Sequence, residues 1–258
     1  MKILNLVLYS ETQECYGDMM NVLSSFYNKN SSDGSGGSDT VRTIYYKYSP
    51  TIGSDYVMKD DVLHIKGNES FVPGILNKTL KAFQFVLRTG LIDDFDYIIR
   101  SNISTVINFD LLVKELHENP LVYYGGGLIH TLRWRDPNAG IKDDQYCGTS
   151  FANGTSIMMT KEALRYLIDN KDLIKKDIVD DVAIGIFFKE NQPKYYPPQE
   201  VGWKKYLTMD LNYNTIEGKN KLKTIVDSKN FIFYRNRWGQ RDRMVDVSHM
   251  KLLTHMLQ

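Results

Sequence analysis

Cysteine is scarce in this chain. Cys15 and Cys147 are the only two in 258 residues, too few for a disulfide framework and without the paired spacing of a metal site. Net charge is nearly absent, since 32 basic residues face 31 acidic ones for a formal +1. No global field therefore draws the chain to nucleic acid or to an anionic membrane, and anion binding has to come from local clusters. Long apolar runs are missing too. The opening MKILNLVLYSETQ is far too short to span a bilayer and lacks a signal-peptide layout, so it reads as a first strand. These absences predict a cytoplasmic protein with no membrane span and no nucleic-acid partner. The Asn-x-Ser/Thr matches at Asn68, Asn77, Asn102 and Asn153 then reflect an asparagine-rich composition rather than glycosylation.

What is present is ordinary globular composition, 42% hydrophobic and 24% charged, in a chain long enough for a substantial core. Strands are expected at 4–10, 41–48, 61–67, 97–105, 156–159 and 231–237, with two more around the Gly125–Gly127 run. Leu76, Leu80, Phe83 and Leu87 repeat at helical spacing between Pro73 and Gly90, and Gly90 suits a C-terminal cap. Further helices are expected around 18–28, over 108–119 capped by Asn108, from Thr160 to Asn170, following 178–190, and over 246–258. The one low-complexity segment, NKNSSDGSGGSD at 28–39, reads as a flexible surface loop. Strands alternating with helices predict a single α/β domain with a mostly parallel central sheet flanked by helices.

Three local patterns suggest chemistry. YIIRSNIST at 97–105 is a buried-strand run that stops at Arg100 and a cluster of small polar residues, and strand ends of open α/β sheets are where ligands bind. Asp180 and Asp181 form an acidic pair at a helix start, which suits either a plain cap or a general base. FIFYRNRWGQRDR at 231–243 places Arg235 and Arg237 on alternate strand positions, so both point the same way, as a clamp or as a solvated basic face.

The order of these pieces carries a resemblance. DVLHIKGNESFVPGILNKTLKAFQFVLRTG (61–90) followed by DDFDYIIRSNIS (93–104), then YCGTSFANGTSIMMTKEALRYL (146–167) and IVDDVAIG (178–185), resembles GT-A glycosyltransferases, especially the β1,3-galactosyltransferase and Fringe superfamily. The resemblance spans residues 1–190 and implies a single GT-A domain over 1–258. Its donor-binding part would be about 1–105 and its acceptor and catalytic part about 120–258. It implies inverting transfer of a sugar from a nucleotide sugar, a UDP-sugar, to a hydroxyl of a glycan or other acceptor. Asp181 would be the base, with Asp180 orienting it. Tyr9, Ser10 and Glu11 would meet the nucleotide, Lys78 a phosphate, and Asn153 and Gly154 the acceptor.

One departure matters. Where the family places Asp-x-Asp, this chain has Asn102-Ile103-Ser104, preceded by Arg100 and Ser101. An amide and a hydroxyl supply oxygens without the charge that holds Mg²⁺ or Mn²⁺. The leaving diphosphate still needs its charge stabilised, a task guanidinium forks perform bidentately. The expected donor pocket thus comprises Tyr9, Ser10, Glu11, Lys78, Arg100, Ser101, Asn102, Ser104, Arg235 and Arg237, with no cofactor required and Mn²⁺ or Mg²⁺ inessential. In this it is similar to the metal-independent core-2 N-acetylglucosaminyltransferases. His249 is the weak candidate for a metal ligand. Two rival readings stand beside this one. One is a binding module that kept the fold without the chemistry. The other is a serine hydrolase using Ser150, Asp181 and His249 with Gly125–Gly127 as an oxyanion loop, although GTSFA lacks the second glycine of G-x-S-x-G.

Overall fold

A computed structural model describes residues 1–32, 40–192, 194, 196–238 and 242–258. Its elements run β1 (Lys2–Leu8), α1 (Cys15–Ser32), β2 (Thr40–Tyr48), β3 (Tyr56–Lys59), β4 (Val62–Ile65), α2 (Gly74–Arg88), β5 (Tyr97–Asn102), β6 (Thr105–Ile107) and α3 (Phe109–Glu118). They continue with β7 (Tyr124–Gly126), β8 (Ile129–Thr131), β9 (Ser150–Ala152), β10 (Ser156–Thr160), α4 (Lys161–Asp169) and α5 (Asp180–Asn191). Last come β11 (Gln199–Glu200), β12 (Tyr206–Met209), α6 (Ile216–Asp227), β13 (Phe233–Asn236) and α7 (Met244–Leu257).

The main sheet has the order β11-β7-β10-β5-β1-β2-β4-β3. β1 runs parallel to both β2 and β5, and β2 to β4, while β10 and β3 run against their neighbours. The sheet is therefore mixed but mostly parallel, as the alternation of strand and helix predicts. Period-two geometry sends alternate β1 residues to opposite faces. Leu4 and Leu6 join a core with Phe83 of α2, Leu164 of α4 and Phe187 of α5. Ile3 and Val7 join another with Leu23 of α1, Leu112 of α3 and Met250 of α7. This second layer also holds the small sheet β12-β13-β6, through buried Met209, Phe233 and Val106.

Local signals acted as expected at several ends. Gly90 adopts a left-handed conformation (φ 72°) just past α2, a geometry that favours glycine because it has no Cβ. The Asn108 side chain accepts from the Leu111 N–H at 3.2 Å, and Thr160 Oγ1 accepts from Ala163 N–H at 3.2 Å, so both are N-caps. α1 differs: it starts at Cys15 and continues to Ser32, so residues 28–32 are helical rather than loop. The rest of the expected flexible segment, 33–39, lies outside the described residues. β3, β6, β9, β11, β12 and α6 escape the sequence reading. The strands among them are two to four residues long, too short to show a period. α6 buries only Gly218 and Leu222.

The Gly125–Gly127 run is a packing device. A Cβ on Gly126 would lie 2.3 Å from the Ser156 carbonyl oxygen, and one on Gly127 2.5 Å from the Phe233 ring. Gly126→Ala has no flexible neighbour to displace, and is expected to destabilise the fold by about 1–3 kcal/mol, read as a lowered Tm by scanning calorimetry.

Candidate active site

Because β1 and β5 are parallel neighbours, their C-terminal tips lie side by side, with Leu8 opposite Asn102. β13 brings a third component. Arg235 is in register with Thr105 of β6, and its Nη1 donates to Ser104 Oγ at 2.7 Å. Two cavities open at this junction. The larger, about 480 Å³, is lined by Tyr9, Ser10, Lys78, Asn102, Ser104 and Arg235 among others. The other, about 380 Å³, has Arg100, Asn153, Gly154, Asp180, Asp181 and Arg237 in its wall. Leu8, Phe71, Ile75, Asn102 and Arg235 line both.

The second cavity is built around one buried guanidinium. Arg100, on β5, is only 2% exposed. Its Nη2 pairs with Asp180 Oδ2 at 2.6 Å, and its Nη1 donates to Asn102 Oδ1 at 2.8 Å and to the Gly154 carbonyl. The N–H of that same Gly154 donates to Asp181 Oδ2 at 2.9 Å, and Val182 N–H donates to Asp181 Oδ1 at 2.9 Å. Arg100 and Asp181 thus bind the carbonyl and the N–H of residue 154 respectively. Gly154 leaves them room, since a Cβ there would stand 3.2 Å from Asp181 Oδ2 and 3.4 Å from Arg100 Nη1. Burial, followed by the adjacent Asp180 charge, pushes the Asp181 carboxyl up to about 6, with the Gly154 N–H and Arg100 pulling the other way. A carboxylate in that range can accept a proton near neutral pH.

Arg235 is also tuned by its surroundings. Burial lowers its pKa to about 10, and the nearby Arg243 and Arg237 lower it as well. It keeps its charge at neutral pH. Asn102 and Ser104, the two oxygens standing where acidic ligands would be expected, each accept from a guanidinium, Arg100 and Arg235 respectively. Among the described residues no group of three His, Cys, Asp or Glu side chains is placed to hold a metal ion.

The remaining candidates divide. Tyr9 and Ser10 line the larger cavity. Lys78 also lines it, but its ammonium donates to the Tyr9 carbonyl at 2.9 Å and to both Glu69 oxygens at 2.7 Å, so it acts as a strut for the β1 tip. Glu11 is outside both linings and pairs with Lys47. Ser101 does not join the site. Strand alternation turns it to the opposite face of β5 from Arg100 and Asn102, where its Oγ donates to Asn5 Oδ1 at 2.8 Å. Asn153 turns its side-chain oxygen back to Thr155 N–H at 3.0 Å. His249 is fully buried in α7, and its Nε2 accepts from Tyr213 N–H at 3.1 Å, so it is a core histidine. Ser150 Oγ meets Thr131 Oγ1 at 3.3 Å. Asp181 belongs to the α5 side of the sheet and His249 to the α7 side, which separates the members of the serine-hydrolase reading.

The sequence reading passed over several lining residues: Phe71, Ile75, His130, Tyr206 and Thr208. The last two lie on β12, whose four residues carry no periodic signal of their own.

No protein-family model matches the chain, and no curated protein matches it in sequence. Among solved structures it is similar to a glycosyltransferase involved in the glycosylation of the major capsid of PBCV-1, at 9% identity and a TM-score of 0.48, covering 98% of this chain and 100% of that one. It is also similar to the galactosyltransferase LgtC in complex with donor and acceptor sugar analogues, at 12% identity and 0.45, covering 100% and 96%. A third is A197 from STIV, at 12% identity and 0.33, covering 72% and 77%. No helix among the described residues is long and apolar enough to cross a membrane.

Proposed function

We propose that the protein is a glycosyltransferase of the GT-A type, moving a sugar from a UDP-sugar to an acceptor hydroxyl with inversion and without an essential metal ion. The β1,3-galactosyltransferase and Fringe resemblance of residues 1–190 agrees with this reading. The observation that carries it is the position of Arg235 in the walls of both cavities, with the Asp181 carboxyl in the wall of one of them.

The steps follow from that placement. The nucleotide occupies the cavity beside Tyr9, Ser10 and Ser104, and its diphosphate lies against Arg235 and Arg237. The acceptor enters on the Asp181 side. As its oxygen attacks the anomeric carbon, Asp181 takes the hydroxyl proton. The bond from that carbon to the diphosphate oxygen breaks, and the electron pair leaves with UDP. Arg235 and Arg237 stabilise the charge gathering on the departing diphosphate. Asp180, neutralised by Arg100, holds the start of α5 and so orients the base. Because two guanidinium groups already engage Asn102 and Ser104, a divalent cation set between them would meet like charge rather than free carboxylates.

The reading is tested by UDP release from UDP-sugars, together with thermal shift against nucleotides, in EDTA and in Mn²⁺. UDP should raise Tm, and EDTA should leave turnover unchanged. Arg235→Ala is expected to lower UDP release about 10²–10³-fold. Turnover that disappears in EDTA and returns with Mn²⁺ would refute metal independence. Absence of any nucleotide-dependent shift would refute the donor class. The anomeric configuration of the product, read by proton NMR, tests inversion.

A further inference from the structure

The junction between the two cavities is of mixed polarity. Of the five residues lining both, Leu8, Phe71 and Ile75 are apolar, whereas Asn102 and Arg235 are polar. Phe71 is 54% exposed. Of the exposed large apolar side chains among the described residues, it alone lines either of these cavities. Its loop is well fastened. The Glu69 carboxylate receives Lys78 Nζ at 2.7 Å and the Tyr48 N–H at 3.3 Å. The Phe71 carbonyl accepts from Ile75 N–H at 3.0 Å, and Ser70 packs so closely on Gly74 that a Cβ there would sit 2.2 Å from Ser70 Oγ. The backbone that carries this aromatic side chain is therefore held in place where the two cavities meet.

We infer that Phe71 is the stacking platform for the hexopyranosyl group of the donor. This rests on the reading of the site as a nucleotide-sugar pocket. A pyranose ring has a face of C–H groups and an edge of hydroxyls, which matches a junction lined by apolar Leu8, Phe71 and Ile75 together with polar Asn102 and Arg235. With the diphosphate against Arg235, a sugar in the junction turns its anomeric carbon toward Asp181. Phe71 is thus a specificity-determining residue for the sugar, and because it lines both cavities its effect is read as a difference from UDP.

Calorimetric titration separates the two contributions. The probes are UDP, UDP-galactose and UDP-N-acetylglucosamine, and the readout is the affinity gained on adding the hexose to UDP. Wild-type protein should bind at least one hexose conjugate more tightly than UDP. Phe71→Ala should reduce that gain about 3- to 10-fold, and Phe71→Trp should keep it. The melting temperature reports that each variant is folded, and UDP affinity measured on the same variant is the reference from which the gain is taken. A gain unchanged in Phe71→Ala, or a wild-type protein that binds UDP as tightly as both conjugates, overturns the stacking assignment and leaves the nucleotide pocket standing. Wild-type protein that binds none of the three probes overturns the functional reading, and the stacking assignment with it.

Discussion

Asp181→Asn should lower turnover by about 10²–10⁴-fold, the range for removing a positioned general base, while UDP-sugar affinity stays within a few-fold of wild type. The same substitution should raise the melting temperature. In the folded protein the Asp181 carboxyl is pushed up to about 6, above its value of roughly 3.9 in an unfolded chain. The fold therefore favours the protonated form. Ionising the group costs stability, and the sign follows from linkage: the cost is absent below about pH 4, grows through the interval up to about 6, and is complete above it. A neutral amide removes it. At pH 8 the gain is about 1–3 kcal/mol, worth several degrees in Tm, and it should vanish at pH 4. The lower figure allows for imperfect replacement of the bonds from the Gly154 and Val182 N–H groups. In wild-type protein kcat/KM should fall tenfold per pH unit below about 6, and Asp180→Asn should move that limb to lower pH by removing the neighbouring negative charge. Retained turnover in Asp181→Asn would remove the residue from this role. Lost turnover with no rise in Tm would place the carboxyl in a less desolvated setting.

Arg100→Met should be the most damaging single change to stability. The guanidinium is enclosed and makes the 2.6 Å pair with Asp180, itself only 3% exposed. Removing one partner of a buried pair leaves an uncompensated charge, at a cost of about 3–5 kcal/mol. That corresponds to a Tm lowered by roughly 6–20 °C at the sensitivity of a chain this size. Combining Arg100→Met with Asp180→Asn should recover much of the loss, because the amide needs no counter-charge. The recovered double variant should still be catalytically impaired, since the Gly154 carbonyl has lost its Arg100 donor and Asp181 is held through the Gly154 N–H. Melting curves and UDP release on the four proteins of this cycle separate the structural and positioning roles. Additive losses in the double variant would show that Arg100 and Asp180 do not act as a pair.

The placement of Arg100 and Ser101 shows what one-dimensional reading can and cannot reach. Both follow the apolar run at 97–99, and both read as pocket residues. Period-two geometry allows only one of two adjacent strand residues onto a given face, and which face holds the site depends on what packs against the sheet. α5 brings Asp180 to the Arg100 face, so Ser101 is left with Asn5. Arg235 and Arg237 show the converse. Their alternation is visible in the chain, but the meeting of Arg235 with Ser104 depends on β13 pairing with β6 across more than a hundred residues.

What the chain determined by itself was local: the 3.6-residue period of α2, the caps at Asn108 and Thr160, the left-handed Gly90, and a strand that ends in small polar residues. Each depends on interactions within a few positions, where residue type and spacing are sufficient. Tertiary structure alone decided that Lys78 serves as a strut, that His249 belongs to a core, that Phe71 lines two cavities, and that Arg100 and Asp181 bind the two backbone polar groups of one glycine. Those outcomes depend on burial and on partners distant in sequence, because desolvation and long-range pairing, rather than the identity of a side chain, determine what an ionisable group does.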